Sequence, residues 1–151
     1  MIRIGPDDPR APDCVALLGQ HHALMQSLFP AEANHFLEVD ALAGPDIRFL
    51  SARESGSLRG VGALALRDGY GEIKSMFTAP EARAQGIGDA ILSALIETAA
   101  SEGLDVLRLE TGRGLDAAHR LYARHGFVPR GPFGAYEAGP HSLFFERGAP
   151  A

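Results

Sequence analysis

Apolar residues recur at intervals of three and four along several stretches of the chain, which is typical of helices with one buried face. The helices predicted in this way cover residues 12–29, 31–42, 86–102 and 115–125. Breakers set their ends, because Pro30 cannot continue the first helix, while Gly103 and Gly126 end the third and the fourth. The face predicted to be buried consists of Val15, Leu18, His22, Met25 and Leu28 in the first helix, and of Ile87, Ala90, Ile91, Ala94, Leu95 and Thr98 in the third.

Shorter apolar and β-branched runs between the helices predict strands. They cover residues 2–4, 47–52, 58–66, 71–78, 106–110, 127–128 and 143–147. The sequence Glu-Ser-Gly at residues 54–56 predicts a tight hairpin between the second and third strands. Because strand–helix–strand crossovers place strands in parallel, this order of elements predicts an α/β fold with a mixed sheet and helices on both faces.

The loop before the third helix is the most informative part of the chain, and it contains the pattern Arg83-x-x-Gly86-x-Gly88. A helix N-terminus exposes unpaired N–H groups and the positive end of the helix dipole, so it attracts anions. Glycines allow phosphate oxygens to approach the backbone closely, and Arg83 adds a charged donor. The pattern therefore predicts a phosphate-bearing ligand that is held mainly by backbone groups.

Two common phosphate-binding loops fit this pattern less well. A Walker A loop requires a lysine after its last glycine, and none follows Gly86. The dinucleotide fingerprint requires a third glycine where this chain has Ile91, although Glu110 lies where a ribose-binding acid is expected. Residues 79–85 also separate the strand from the first glycine, which is too long for the tight turn of that fingerprint.

The pattern resembles the acyl-CoA pyrophosphate loop of the GNAT superfamily of N-acetyltransferases, Arg/Gln-x-x-Gly-x-Gly/Ala. Residues 121–127 read LYARHGF and are similar to a second signature of that superfamily, Leu-Tyr-x-x-x-Gly-Phe, one strand further along the chain. The C-terminal sequence GPFGAY at residues 131–136, followed by Pro140, Ser142 and Phe144, is similar to a subgroup of small bacterial members. The resemblance implies a single N-acetyltransferase domain over residues 1–151 with the GNAT fold.

The resemblance also implies acetyl-CoA as the co-substrate and direct transfer of the acetyl group to an amine in a ternary complex. The implied cofactor-binding residues are Met76, Phe77, Thr78, Arg83, Ala84, Gln85, Gly86, Ile87, Gly88, Asp89 and Ala90, of which the first three offer strand backbone to the pantetheine amides. Many members have an asparagine seven residues before the signature tyrosine. Here that position is Leu115, and the neighbouring Asp116 is the polar side chain that stands in its place.

Acetyl transfer to an amine requires a base for the amine, a donor for the oxyanion and an acid for the departing thiolate. The resemblance implies Glu72 as the base and Tyr122 as the acid. Each has an alternative in the residues themselves. Strand alternation places Glu72, Lys74 and Met76 on one face, so Glu72 is equally consistent with a structural carboxylate paired with Lys74 or a distant arginine. The alternative for Tyr122 is a packed aromatic whose hydroxyl is bonded to a backbone carbonyl.

The residues predicted to line the acceptor pocket are His21, His22, Lys74, Tyr136 and His141. The first helices cover the acceptor site in the fold resembled, which favours one of the two adjacent histidines. Adjacent helical residues diverge by about 100°, and no acid or cysteine cluster has ligand spacing, so no metal is expected. The alternative for Tyr136 and His141 is a position in a solvated loop.

Composition excludes several classes of partner. The 151 residues suit a single domain, and the net charge of −5 with scattered basic residues gives no footprint for nucleic acid. No apolar run approaches the roughly 20 residues of a membrane span, and no secretion signal opens the chain. A lone cysteine, Cys14, fits a reducing cytoplasm, and its apolar helical surroundings disfavour a role as nucleophile.

The favoured function is acetyl transfer to the amine of a small molecule, with no nucleic-acid or membrane partner and with homodimer formation left open. Two alternatives remain at this point. Transfer to a protein or peptide amine would require an open groove. A non-catalytic acyl-CoA sensor would keep Arg83, Gly86 and Gly88 but would need neither Glu72 nor Tyr122.

Overall fold

The computed structural model describes residues 1–148, so the last three residues of the predicted 1–151 domain lie outside the described part. The strands are β1 (Ile2–Pro6), β2 (Ile47–Glu54), β3 (Ser57–Leu66), β4 (Gly71–Thr78), β5 (Leu107–Gly112), β6 (Val128–Arg130) and β7 (Ser142–Arg147). The α-helices are α1 (Pro12–Leu28), α2 (Val39–Leu42), α3 (Ile87–Ser101) and α4 (Asp116–Arg124), and two 3-10 turns cover Ala31–Ala33 and Pro80–Ala82. Every predicted strand is present.

The seven strands form one mixed sheet in the order β1-β2-β3-β4-β5-β7-β6. Among the strands within residues 1–148, only β4 and β5 run in parallel, because α3 forms the crossover between them. The predicted hairpin joins β2 and β3, and its central residues Ser55 and Gly56 have φ values of 51° and 83°. Positive φ at both positions is the geometry of a tight two-residue hairpin turn. The predicted α/β class with a mixed sheet is confirmed.

Helices α1 and α3 pack on opposite faces of the sheet, as predicted. Ile91 and Leu95 of α3 lie over Gly62 of β3, where a Cβ atom would stand 2.7 Å from an Ile91 methyl carbon. A glycine there lets the helix approach the strand closely. On the other face, His21 of α1 packs against the ring of Phe77, with 5.1 Å between the centroids. None of the helices within residues 1–148 has the length and apolar character needed to cross a membrane.

The buried face of α1 differs from the prediction. Val15 and Leu28 were expected inside but are 43% and 51% exposed, whereas Cys14, Leu17 and Leu18 are buried. Apolar residues occupy several sides of this helix, so the contact with the sheet, rather than spacing alone, selects the buried stripe. Burial raises the pKa of the Cys14 thiol to about 11, which keeps it protonated and agrees with a packing role.

The helix predicted over residues 31–42 is wrong for most of its length, because only a 3-10 turn and the single turn α2 form there. The side-chain amide of Asn34 donates to the carbonyl oxygen of Phe29 at 3.3 Å, which satisfies that group without a helix. Further along, the carbonyl oxygen of His35 accepts a hydrogen bond from Lys74 Nζ at 2.8 Å. The local bond at Asn34 and the tertiary bond from Lys74 therefore take the place of helical hydrogen bonds in this segment.

Candidate functional site

A cleft opens in the sheet where β4 separates from β5. The two strands pair only at Gly71 and Glu72 of β4. Beyond Glu72, β4 stays paired with β3 on its other edge, as at Phe77 with Val61. No strand in residues 1–148 pairs with the remainder of the edge that faces β5. Backbone N–H and C=O groups of β4 therefore face the cleft without strand partners.

Ser75 forms a β-bulge in β4 with a φ of 56°, so two residues of β4 oppose one of β3. The extra residue reverses the side-chain direction beyond it, so Met76 points toward α3 while Phe77 faces α1. The prediction that Met76 shares a face with Glu72 and Lys74 is therefore wrong, because it assumed an unbroken alternation. Bulges are frequent beside active sites, where they redirect side chains.

The loop before α3 exposes backbone at one end of the cleft. Gly86 has φ 77° and ψ 12°, a left-handed conformation that favours glycine. A Cβ atom at Gly86 would meet nothing within 4 Å, so the space beside it is open. No side chain in the described part of the chain caps the N-terminus of α3, and the Ala90 N–H makes the first bond of the helix, to Gly86. The preceding N–H groups are free to bind an anion.

The carboxylate of Asp89 lies in the first turn of α3, but its charge is paired. Arg124 donates to Asp89 Oδ2 at 3.1 Å, and His125 Nε2 lies 2.9 Å from Oδ1. These two hydrogen bonds, that of Arg124 first, lower the pKa of Asp89. A Cβ atom at Gly88 would stand only 3.2 Å from Leu121, so α4 packs closely on the start of α3. The two motifs found in the sequence are therefore in contact.

The other predicted cofactor-binding residues border the same loop. The guanidinium of Arg83 lies over the ring of Phe77, 5.9 Å from its centroid. The Thr78 hydroxyl lies 3.9 Å from the Cβ position of Gly88, so the end of β4 is in contact with the start of α3. Ala84 has a φ of 64°, a strained conformation of the kind that clusters at ligand-binding loops. In this loop Arg83, Ala84, Gln85 and Gly86 are exposed, Gly88, Asp89 and Ala90 are half-buried, and Ile87 is buried.

Tyr122 lies on α4 with its ring between two aromatic side chains. The ring centroids of Phe127 and Phe145 are 5.8 Å and 6.4 Å away, and Tyr122 is 7% exposed. Burial, followed by the negative charge of Glu110, raises the pKa of the phenol, which therefore keeps its proton at neutral pH. Within residues 1–148 the hydroxyl makes no hydrogen bond, so the alternative of a hydroxyl bonded to a backbone carbonyl is not observed.

Glu72 is buried and both of its oxygens are engaged. Arg67 Nε donates to Oε1 at 3.1 Å, the Tyr136 hydroxyl donates to Oε2, and Lys74 Nζ lies 3.5 Å from Oε2. The side chain is only 3% exposed. This is the structural pairing that the sequence left open, with Lys74 as predicted and with an arginine that lies five residues away instead of a distant one. The role of Glu72 as the base stays a prediction, and the geometry favours the structural alternative.

Tyr136 connects the segment before β7 to β4, so the alternative of a solvated loop residue is wrong for it. Its hydroxyl accepts a hydrogen bond from Lys74 Nζ at 2.8 Å and donates to Glu72. Burial and the bond to Glu72 raise the pKa of the phenol, which remains a donor. Lys74 is 8% exposed and also donates to the His35 carbonyl, so its ammonium group is held inside the protein.

The three predicted acceptor histidines lie in different surroundings. His21 packs on Phe77 beside the cleft, and its Nδ1 is buried without a partner in residues 1–148. His22 stacks on Phe36, with 4.0 Å between the ring centroids. His141 is exposed. Of the adjacent pair, His21 is therefore the one beside β4. No group of three or more His, Cys, Asp or Glu side chains among the described residues is arranged to hold a metal.

Acid is expected to destabilise the protein through His21. Burial, followed by the charge of His22, lowers the pKa of His21 from 6.5 to about 4. The unfolded chain therefore binds this proton more tightly. As a result, the free energy of unfolding is unaffected by the titration of His21 above about pH 6.5 and decreases as the pH falls toward 4. Across this pH range, the free energy of unfolding measured in urea should fall by up to about 3 kcal/mol more in the wild type than in His21→Gln. His141→Gln is the exposed control, and equal losses in all three proteins would contradict the assignment.

Sequence reasoning missed a polar group on the cleft side of β5. In the sequence, Glu110 was considered only as part of the rejected dinucleotide pattern. Neither His35 nor Ser142 was predicted to lie beside Glu110. The structure brings the three side chains together. One signal was present in the sequence, since an acidic residue at the carboxyl end of a strand in an open α/β sheet lies where ligands bind.

Residues 18–127 match the family model for the Acetyltransferase (GNAT) family. The chain belongs to this family. An IAA acetyltransferase from Azospirillum brasilense is 43% identical over 148 residues, covering 97% of each chain. GNAT is an acyltransferase family, so the predicted family and enzyme class are confirmed.

Solved structures agree with the fold. A Klebsiella pneumoniae protein assigned to the acyl-CoA N-acyltransferases matches with a TM-score of 0.82 and 31% identity, over 97% of both chains. A GNAT family acetyltransferase from Elizabethkingia anophelis, solved with acetyl-CoA bound, has the same fold with a TM-score of 0.70 at 20% identity, over 98% of both chains. The predicted GNAT fold is confirmed.

Proposed function

We propose that this protein transfers the acetyl group of acetyl-CoA to the amine of a small molecule by direct attack in a ternary complex. One observation carries the proposal: the cleft between β4 and β5 opens beside the uncapped N-terminus of α3. A thioester with a long amide-bearing arm and a pyrophosphate matches both features. All seven strands share one sheet, which supports a single domain over residues 1–151.

The chain has groups that fit each part of acetyl-CoA. Free backbone groups of β4 at Met76 to Thr78 suit the pantetheine amides, and the N–H groups from Gly86 onward suit the pyrophosphate. The open space beside Gly86 leaves room for phosphate oxygens. Exposed Arg83 supplies a cation at the same loop. Asp89 is compatible with a phosphate there because the guanidinium of Arg124 offsets its charge, and His125 Nε2 lies within hydrogen-bond distance of it.

Tyr122 suits the role of general acid. Its hydroxyl keeps its proton, has no acceptor among the described residues and lies on the helix that packs against the start of α3. Donation of that proton to the departing sulfur would avoid release of a free thiolate. Direct transfer is supported by the state of Cys14, whose buried thiol has a pKa of about 11 and is unsuited to carry the acetyl group.

A small acceptor is supported by two segments that cross the sheet at the cleft. The segment after α1 is fixed by the bond from Lys74 to His35, and the segment before β7 is fixed by the bond from Tyr136 to Glu72. Phe29 also lies against β5, where a Cβ atom at Gly112 would overlap its ring. These contacts leave less space than the open groove needed for a protein substrate.

Release of free thiol from acetyl-CoA tests the proposal. Purified protein should release thiol in the presence of some members of a panel of small primary amines, and mass spectrometry should find the acetylated product. A lysine-containing peptide and IAA, which the name of the Azospirillum brasilense relative contains, are tested separately beside the panel. Transfer to the peptide alone would favour a protein acceptor. CoA binding in calorimetry without thiol release across the panel would indicate a sensor.

A further inference from the structure

Glu110 lies on β5 within the cleft. Arg108 is the last residue of β5 that pairs with β4, and Glu110 follows two positions later on the same face of the strand. Its side chain is 12% exposed, compared with 3% for Glu72. Of the two carboxylates, Glu110 is therefore the one that a molecule in the cleft can reach.

One oxygen of Glu110 is available to a ligand. Ser142 Oγ donates to Oε2 at 3.0 Å, and His35 Nδ1 lies 3.6 Å from the same oxygen. The other oxygen, Oε1, has no hydrogen-bond partner among residues 1–148. The carboxylate is thus oriented through one oxygen while the second is free. His35 is 34% exposed and connects the site to solvent.

Glu72 has the opposite character. Arg67 and Lys74 place two positive charges beside its carboxylate, and Tyr136 donates a hydrogen bond to it. Both oxygens of Glu72 therefore already have partners, and neither is left for a molecule in the cleft. Glu110, in contrast, has one oxygen without a partner among the described residues.

The free carboxylate also lies near the segment before β7. His35, which contacts Glu110, packs edge-on against the ring of Tyr136, with 5.1 Å between the ring centroids. After burial, the negative charge of Glu110 also contributes to the raised pKa of Tyr122, the proposed acid. An amine that attacks a thioester whose sulfur adjoins Tyr122 must approach through this region. Aromatic side chains line it, since Phe144 pairs opposite Glu110 and its ring lies 5.7 Å from that of Tyr136.

We propose that Glu110 binds the ammonium group of the acceptor and accepts its proton, with His35 as a positioning residue that passes this proton to solvent. The inference rests on the proposed function and names the acceptor class: a primary amine on a short apolar or aromatic arm. Glu72 then holds the sheet and the segment before β7 together.

The ammonium group gives one proton to Glu110, which releases it to water through His35. The nitrogen lone pair then forms the N–C bond while the C–S electron pair leaves with the sulfur. Sulfur takes the proton of Tyr122, the excess proton on nitrogen passes to Glu110 and from there to water, and the Tyr122 oxygen regains a proton from water. The products are an acetamide, a free thiol and one proton in solution.

The experiment compares Glu110→Gln with Glu72→Gln, which is the same change in the neighbouring carboxylate. In an amine-dependent thiol-release assay, Glu110→Gln should lower kcat/KM by about 100- to 10,000-fold, the range of general acid–base catalysis. The rise of the rate with pH should move or vanish in that variant. Glu72→Gln should keep the wild-type pH profile and lose thermal stability. His35→Asn should move the profile while CoA affinity stays unchanged.

The groups that can contribute to this profile come from several elements around Glu110. His35 and Ser142 contact Glu110 directly. Its charge acts on the phenols of Tyr122 and Tyr136. Tyr136 is bonded in turn to Lys74 and to Glu72, which pairs with Arg67. On β5 itself, Arg108 pairs with Glu146 of β7. The comparison between the two glutamine variants separates Glu110 from this background, since both remove one negative charge from the same region.

A readout that needs no turnover keeps this inference distinct from the proposed function. Calorimetry with phenethylamine in the presence of CoA, which carries no acetyl group, measures acceptor binding alone. Affinity should fall at least about tenfold in Glu110→Gln, since a charge-assisted hydrogen bond is lost, and should hold in Glu72→Gln. Unchanged phenethylamine affinity and an unshifted pH profile in a folded Glu110→Gln would overturn the inference, as would loss of the pH rise in Glu72→Gln alone. Failure of the wild type to release thiol refutes the proposed function instead.

Discussion

Valine in place of Gly86 is expected to weaken CoA binding by about 100-fold or more while the protein stays folded. The branched side chain would fill the open space beside the backbone N–H groups at the start of α3. Each charge-assisted hydrogen bond lost there is worth about 1.5–3 kcal/mol, and a tenfold change in affinity corresponds to about 1.4 kcal/mol. Isothermal calorimetry with CoA measures the effect directly.

Gly103→Val is the matched control for this variant. Gly103 follows the other end of α3 with a φ of 78°, against 77° for Gly86, and a Cβ atom there would also meet nothing within 4 Å. Both substitutions therefore add comparable strain, on the order of 1–2 kcal/mol for a left-handed residue. If both variants lose similar thermal stability but only Gly86→Val binds CoA more weakly, the phosphate site lies at Gly86. Equal CoA affinities in the two folded variants would refute it.

Much of the fold follows from local sequence signals, because those signals agree with the tertiary contacts. The left-handed conformations at Gly86, Gly103 and Gly126 lie where the sequence predicts helix ends. The Ser55–Gly56 turn likewise follows from residues that tolerate positive φ. These signals need no knowledge of the rest of the chain. The segment 31–42 fails for the converse reason, since its conformation depends on distant partners such as Lys74.

The site was less predictable than the fold, because it depends on one departure from regular geometry. The bulge at Ser75 turns Met76 and Phe77 to faces opposite to those that simple alternation assigns. Sequence patterns predict periodic structure, whereas a bulge adds one residue without a strong compositional signal. The phosphate loop was easier to predict, because it binds through backbone groups and glycines in the sequence indicate where those groups are accessible.

The glutamates illustrate the same limit. Glu72 stood out in the sequence because the resemblance implies a base at its position. Arg67 and Tyr136, which occupy its oxygens, come from a turn and from a segment more than 60 residues away. Glu110 differs because its partners orient one oxygen and leave the other free. Which carboxylate has spare hydrogen-bonding capacity is a tertiary property, so residue type and strand position alone could not distinguish them.

Phenylalanine in place of Tyr122 is expected to lower kcat by roughly 10- to 1,000-fold, the range for loss of a general acid or a single donor. CoA affinity and thermal stability should change little, because the ring keeps its packing against Phe127 and Phe145 and the hydroxyl has no partner among the described residues. Tyr70→Phe is the control. Tyr70 lies in the turn before β4, packs on Phe133 and is expected to have no part in the transfer.

The nature of the leaving group separates acid catalysis by Tyr122 from a role in packing. An acetyl thioester of a more acidic thiol departs without the help of a proton, so the defect of Tyr122→Phe should shrink with such a donor while that of Glu110→Gln should persist. The Tyr122 phenol has its pKa raised by burial, so it stays protonated and its contribution should not decline as the pH rises through neutrality. A Tyr122→Phe protein with full activity toward acetyl-CoA, or with the same defect for both thioesters, would assign the hydroxyl to something other than protonation of the sulfur.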